Sequence, residues 1–328
     1  MADIYEVAKL SGVSIATVSR VINNSPRVSA ETKERILSVI ERVGYVPNAF
    51  ARGLNFNSIG LVGVLCTDFG DAFFSQAVSY IEKNLRDNGF GAMLVCTGYT
   101  LAGKKQGLVQ LANKNVDAII LVGTVFQEEH NEYIAEVAEK IPVFTVNSVL
   151  DYENVYSVKC DEKGAAHDVA AALVQAGCRS PLCLFENPSY GSIDKLEGFR
   201  EGLEEAGLAL EKEQRLSVVE SKRTVVSVIA DYFKQYEGKI DSVFAYNDAL
   251  AVYALKAMNQ AGIGQLPTVG FNNSTIARLS TPELTSVDNR LEEMCRLSVE
   301  KLVQLQNEKK KPEKITVLTG KIVHRDTF

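Results

Sequence analysis

Ser14, Ile15, Ala16, Thr17, Ser19 and Arg20 fall in a stretch that sorts cleanly onto a helix. At 100° per residue, Val18, Val21 and Ile22 lie on one side, and Ala16, Ser19, Arg20 and Asn23 on the other. The second face suits the major groove of duplex DNA. Small residues allow close approach, and a guanidinium donates paired hydrogen bonds to guanine O6 and N7. A second group of chemistry-bearing side chains lies far downstream, in loops that follow apolar runs: Asp68, Phe73, Asn147, Lys195, Asn247 and Asn272. Amides and carboxylates bond hydroxyl groups, while aromatic rings cover apolar C–H faces, so the pattern suits a sugar.

Three short helices must hold the first group. Asp3 and Glu6 form a helix start of the capping-box kind, with Ile4, Val7 and Ala8 on one face. Gly12-Val13-Ser14 breaks that helix and Ser14 caps the next. With Val13 buried, two short helices about a glycine turn make a helix-turn-helix. A third helix starts at Ser29, carries Ile36, Val39, Ile40 and Val43 at helical spacing, and stops at Gly44. On periodicity alone, the competing reading is a small helical domain with a solvated face.

The second group needs a different scaffold. From Ile59 onward, runs such as 59–66, 117–122, 142–146, 181–185, 241–245 and 267–271 alternate with amphipathic helices such as 73–88, 164–176, 192–206 and 249–261. Alternation on this scale predicts an α/β body of two doubly wound, parallel-sheet lobes with a switch near Asp161. In such sheets ligands sit beyond the carboxyl ends of the strands. The loops there add Phe69, Phe74, Phe126, Tyr190 and Tyr246 as candidate rings, with core packing the alternative for Phe73 and Phe74. A last helix near 291–306 precedes three consecutive lysines, read as a solvated helix end, and one short strand to Val323.

Bulk properties narrow the function classes. The 328 residues carry a net charge of −6. Through Ser58 there are seven basic against five acidic side chains, leaving the head at +2 and the remainder at −8. The start lacks a basic and an apolar segment of the secretory kind, and no run is long enough to span a bilayer, which predicts a cytoplasmic protein with no membrane partner. The six scattered cysteines read as reduced core thiols, and the three histidines lack metal-ligand spacing. No phosphate-binding glycine motif, nucleophile elbow or catalytic cluster is present, so neither enzyme nor cofactor nor metal is expected. Paired carboxylates such as Glu204-Glu205 read as solvated faces.

The segment from Ile4 to Asn23, IYEVAKLSGVSIATVSRVIN, with GYVPNAFARGL from Gly44 to Leu54, resembles the head of the LacI/GalR (lactose-repressor) family. The similarity runs along nearly the whole chain. It implies a helix-turn-helix domain over 1–46 and a hinge helix over 47–58. It also implies an effector-binding and dimerisation core over 59–328, resembling a type I periplasmic binding protein. The lobes would take 59–160 with 289–320, and 161–288 with 321–328. Carried over by position, Ile15 and Ala16 set base preference and Arg20 reads guanine. Ser14, Thr17, Asn23, Tyr45 and Asn48 hold phosphates, and Leu54 wedges into the minor groove of a kinked operator. Two positions depart from the family pattern. Lys195 stands where Arg precedes Leu-x-Gly-Phe, and Asn272 where Asp follows Val-Gly-Phe. Lys offers a point charge without a fork, so the ligand of a typical member does not transfer. The run from Gly270 to Ser274 is similar to maltose and maltodextrin regulators. The resemblance predicts a repressor that binds pseudo-palindromic, double-stranded operator DNA as a homodimer under control of a small-molecule effector, a sugar. The tetramer-forming tail of some relatives is not expected. A phosphorylated metabolite or a protein partner is the alternative effector, and a sugar-binding transport protein the alternative function.

Overall fold

The computed structural model describes residues 4–22, 28–44, 59–127, 129–186, 190–218 and 225–328. The Asp3 cap, Asn23, Tyr45, Asn48, Leu54, Asn187 and the whole of the expected hinge over 47–58 lie outside these residues, as does the side chain of Tyr190. Contacts divide the chain into two units: Met1–Leu61 with Asn115–Asp117, and Val62–Lys114 with Ala118–Phe328.

The first unit holds α1 (Ile4–Ser11), α2 (Ile15–Ile22) and α3 (Ala30–Val43). Each boundary has a local cause. Gly12 adopts φ 66°, which ends α1 where a side chain would strain the turn. The Ser14 hydroxyl accepts from Thr17 N–H at 3.3 Å and starts α2. Ser29 does the same for Thr32 at 3.3 Å, and Gly44, at φ 63°, closes α3 by donating to Glu41 and Ile40 carbonyls. Val7, Ala8, Val18, Val21, Ile36 and Val39 make the core. Val13, expected to be buried, is only partly so, because it sits at the rim of the turn and packs from one side.

The second unit carries two six-stranded sheets. The first is ordered β11 (Ile315–Thr319), β5 (Val155–Asp161), β4 (Val143–Val146), β3 (Ala118–Val122), β1 (Leu61–Cys66), β2 (Gly91–Cys96). Its strands run parallel from β11 through to β1. The second is ordered β12 (Lys321–Val323), β10 (Thr285–Asp288), β9 (Thr268–Phe271), β8 (Ser242–Ala245), β6 (Pro181–Phe185), β7 (Arg215–Ser217). It is parallel except at β12, which is antiparallel to β10. Helix α4 (Ala72–Asp87) and the long Leu291–Asn307 helix cover one face of the first sheet, joined in one core by Phe74, Ile81, Met294 and Val299. Separate cores on the second sheet gather Leu182, Ile229 and Met258, and Val169, Phe199 and Phe271. The inner strands β3, β4, β8 and β9 are buried on both faces, whereas β2, β7 and β11 at the sheet edges keep exposed positions.

Three chain segments pass between the sheets, and each leaves the carboxyl end of a strand: after β5 at Asp161, after β10 at Asp288, and after β11 at Gly320. The carboxyl ends of both sheets therefore face one seam. The single terminal strand expected from sequence is two strands split by Gly320, one in each sheet. The glycine is needed there. A Cβ would lie 2.9 Å from the Ala165 Cβ and 3.3 Å from the Cys160 Sγ.

Helix α7 (Glu162–Gln175) packs on α8 (Tyr190–Glu205) at close range. A Cβ on Gly198 would sit 1.9 Å from the Lys163 carbonyl oxygen, and one on Gly202 2.7 Å from that of His167. Two glycines one turn apart thus bring backbone against backbone. Five cysteines are buried as expected, but Cys96 is exposed, at the end of the edge strand β2. All six are free thiols.

Candidate DNA-binding face and ligand cleft

On α2 the two faces separate as the spacing predicts. Val18 and Val21 are buried, whereas Ser14, Ile15, Ala16 and Arg20 are exposed and Thr17 and Ser19 are half-buried. The Ser14 and Thr17 hydroxyls share a hydrogen bond of 2.9 Å. Arg20 is exposed, and among the described residues it forms no ion pair. Tyr5 on α1, not singled out from the sequence, is also exposed.

At the seam of the second unit, the loop asparagines share a backbone feature. Asn147, Asn272 and Asn273 have φ of 61°, 101° and 48°. Asn tolerates this left-handed region better than most residues, and the chain needs it to turn sharply off a strand end. Asn147 is buried, accepting from Cys160 N–H at 3.3 Å and donating to the Glu162 carboxylate at 3.1 Å. Glu162, in the first turn of α7, is only 4% exposed and sits 3.4 Å from the Lys195 ammonium. Lys195 on α8 is buried too, reaches the Tyr246 carbonyl at 3.4 Å, and stands 4.1 Å above the Phe271 ring centroid. Asn147 and Lys195, far apart in sequence, are thus joined through a carboxylate that the sequence reading missed. The approach is tight. A Cβ on Gly191 would lie 2.9 Å from Glu162 Oε2 and 3.1 Å from Thr124 Oγ1.

The other predicted ligand residues are more committed to structure. Asp68 follows β1 and accepts from Gly70 N–H at 2.7 Å. Asn247 caps α10 (Asp248–Ala261) through Leu250 N–H at 2.8 Å. Asn272 spends its side-chain carbonyl on the Asn289 amide at 2.9 Å. Phe73 is half-buried, packs edge-on to Phe74 at 5.4 Å, and so contributes to the core. Of the proposed rings, Phe74, Phe126 and Tyr246 are buried core, leaving Phe69 exposed. A cavity of about 520 Å³ opens between the sheets, and Gln76, Tyr80, Asn272, Arg278, Arg290 and Arg296 are among its lining residues. The Gln76 amide bridges it to Thr275 at 3.0 Å. Asp248 lies beneath this region, accepting from Ser274 N–H at 2.7 Å and Ser286 Oγ at 2.5 Å. Burial pushes its carboxyl above the ordinary range.

Residues 3–48 match the model of the bacterial regulatory proteins of the lacI family, and residues 170–328 that of a periplasmic binding protein-like domain. A helix-turn-helix-type transcriptional regulator of Lachnoclostridium phytofermentans is 36% identical over 332 residues, covering 99% of both chains. Catabolite control protein A of Staphylococcus aureus is 30% identical over 329 residues, covering 99% of this chain and 98% of that one. The chain belongs to the LacI family. As a LacI-family member it is a DNA-binding transcription regulator. Solved structures agree on the fold. The lac repressor dimer bound to operator and an anti-inducer superposes with a TM-score of 0.79 at 21% identity, covering 99% of this chain and 98% of that one. The transcriptional regulator CelR in complex with cellobiose gives 0.71 at 23%, with both chains covered completely. Among the described residues of this LacI-family chain, no helix is long and apolar enough to cross a membrane.

Proposed function

We propose that this regulator is a cytoplasmic repressor that binds a pseudo-palindromic operator as a homodimer, and that a saccharide bound at the seam between its two sheets controls operator affinity. The observation that carries the reading is the Asn147–Glu162–Lys195 chain. It ties a strand end of the first sheet to a helix flanking the second, so a ligand that competes for these groups changes how the lobes are held. The solved relatives named above, one with cellobiose and one with operator, support the same reading. Lobe boundaries at the three crossings, near 160, 289 and 320, belong to this proposal. Asp68, Phe73, Asn247 and Asn272 complete the ligand contacts. At the DNA, Ile15, Ala16 and Arg20 read bases, while Ser14, Thr17, Ser19, Asn23, Tyr45 and Asn48 position the head and Leu54 wedges into the centre. A mobility-shift selection on a randomised duplex library, with and without a panel of neutral saccharides, tests it. Recovery of no preferred sequence by the intact chain sinks the regulator reading. No saccharide effect sinks only the choice of effector.

Two variants sharpen the test. Arg20→Ala is expected to cost about 1–3 kcal/mol at one base position in each half-site. An equal loss on every sequence would make Arg20 a phosphate contact instead. The second variant concerns pairing. Leu279, at the end of the short Thr275–Leu279 helix, is 78% exposed beside an apolar groove of about 510 Å³ lined by Val252, Leu255 and Ile276. An exposed apolar knob beside its own groove suits a two-fold contact with a second copy. Leu279→Asp is expected to shift the sedimentation coefficient from dimer to monomer. An unchanged dimer would place the contact elsewhere.

A further inference from the structure

At the start of β1 the backbone is gripped by the side chain of Asp117. One carboxylate oxygen accepts from Ile59 N–H at 2.9 Å and the other from Leu61 N–H at 3.0 Å. Gly60 lies between them at φ 69°, a left-handed turn that a side chain would strain although nothing crowds the position. In extended backbone, N–H groups two residues apart are too widely spaced for one carboxylate. The turn at Gly60 brings them together, as in the concavities of converging N–H groups that bind anions. Here the chain supplies its own anion.

The carboxylate is itself held in place. Val116 beside it is buried, Asn115 turns the chain at φ 53°, and Asp117 N–H donates back to the Leu61 carbonyl at 2.8 Å. Contacts group Asn115–Asp117 with Met1–Leu61 rather than with the strand they lead into. From this clamp β1 and β3 run side by side, with Val62 opposite Ala118 and Leu65 opposite Leu121, and both are buried over that length. Their carboxyl ends lead to Asp68 and Thr124 at the seam. Two packed strands thus carry any movement at the ligand loops to the clamp at their other ends.

The place of the clamp in the sequence gives it a role. Ile59 directly follows 47–58, the expected hinge, which tethers the helix-turn-helix. In a dimer, two fixed tether origins set how far apart the heads sit. If the origins are loose, the heads sample more separations. The effective concentration at any one spacing then falls, and the choice among spacings flattens.

We infer that Asp117 is a positioning residue for DNA binding: by anchoring Ile59 and Leu61 it fixes the origin of the tether and makes the repressor selective for the spacing between operator half-sites. The inference rests on the homodimeric operator reading above and adds the residue that sets the spacing.

The test uses the full-length protein and the operator recovered by the selection above, intact and with one base pair inserted or removed at its centre. Wild type is expected to prefer the intact spacing at least about tenfold, and D117A to bring that preference within about threefold, chiefly by losing affinity for the intact site. G60A, which keeps the carboxylate but strains the turn, should relax the choice in the same direction. D117N, which keeps one acceptor oxygen, should fall between. Amide hydrogen exchange gives a readout without DNA. Ile59 and Leu61 should be protected in wild type and exchange at least about tenfold faster in D117A, with Ile119 and Leu121 unchanged. A folded D117A that keeps the wild-type spacing preference overturns the inference, even with every duplex bound more weakly, because that pattern belongs to a residue that only supports the strand pair. Unprotected Ile59 and Leu61 amides in wild type overturn it as well. Should D117A not fold, D117N and G60A are read by the same criteria. The homodimeric operator reading fails separately, and takes this inference with it, if wild type selects no sequence or binds as a monomer.

Discussion

Ile36→Ala is expected to unfold most of the DNA-binding head and leave the rest of the protein standing. Among the described residues, Ile36 is fully buried in a core of six buried residues shared among three short helices. Cutting an Ile to Ala in such a place costs about 2–5 kcal/mol, through lost burial and the cavity left behind. A unit of roughly 60 residues has about 3–9 kcal/mol of stability in total. The substitution therefore removes most of what holds α1, α2 and α3 together. Specific operator binding should fall at least tenfold, with the loss of dispersed amide signals from the head. The main calorimetric transition should stay in place, because Ile36 belongs to none of the three cores of the body. Leu37→Ala is the control. Leu37 is 46% exposed, so its truncation should change stability by about 0.5 kcal/mol or less. Equal effects from the two neighbours would mean that the head is not packed as described.

Lys195→Ala should produce a large loss in the body. Removing one partner of a buried ion pair leaves the other charge without compensation, at a cost of about 3–5 kcal/mol. Among the described residues, Glu162 would keep only the Asn147 amide as a hydrogen-bond partner. The change should appear in urea as a lower midpoint at unchanged slope. Lys195→Met with Glu162→Gln is the informative comparison. It removes both charges, keeps an acceptor for Asn147, and should recover most of the loss. A double variant as unstable as Lys195→Ala would show that the lysine stem, packed over Phe271, matters more than its charge.

The head was legible because its instructions are local. Ser14, Ser29, Gly12 and Gly44 mark boundaries by chemistry that acts within one turn, and the valines repeat at helical spacing. The body was legible where a strand is one continuous apolar run, as at Ala118–Val122. It was not at Val155–Asp161, which mixes Tyr, Ser, Lys and Cys and becomes a central strand because β4 and β11 flank it. Glu162 was missed for a similar reason. An acid in the first turn of a helix ordinarily answers the helix dipole, and only the approach of α8 buries this one. A signal for that approach did exist. Gly191, Gly198 and Gly202 stand seven and four residues apart, one small stripe along a helix that must lie close to something. Phe126 and Tyr246 misled in the opposite direction, since a ring at a strand end is as useful to a core as to a sugar.

The interleaving at Asp161, Asp288 and Gly320 bears on how the protein is made. The first sheet closes on one side with β11, and the helix spanning Leu291–Asn307 fills its core, yet both are translated after the whole second sheet except β12. During synthesis, the earlier half must wait on the ribosome as an unfinished apolar surface until its last pieces emerge. By then the later half lacks only its edge strand β12, so order of appearance does not dictate order of folding in this chain.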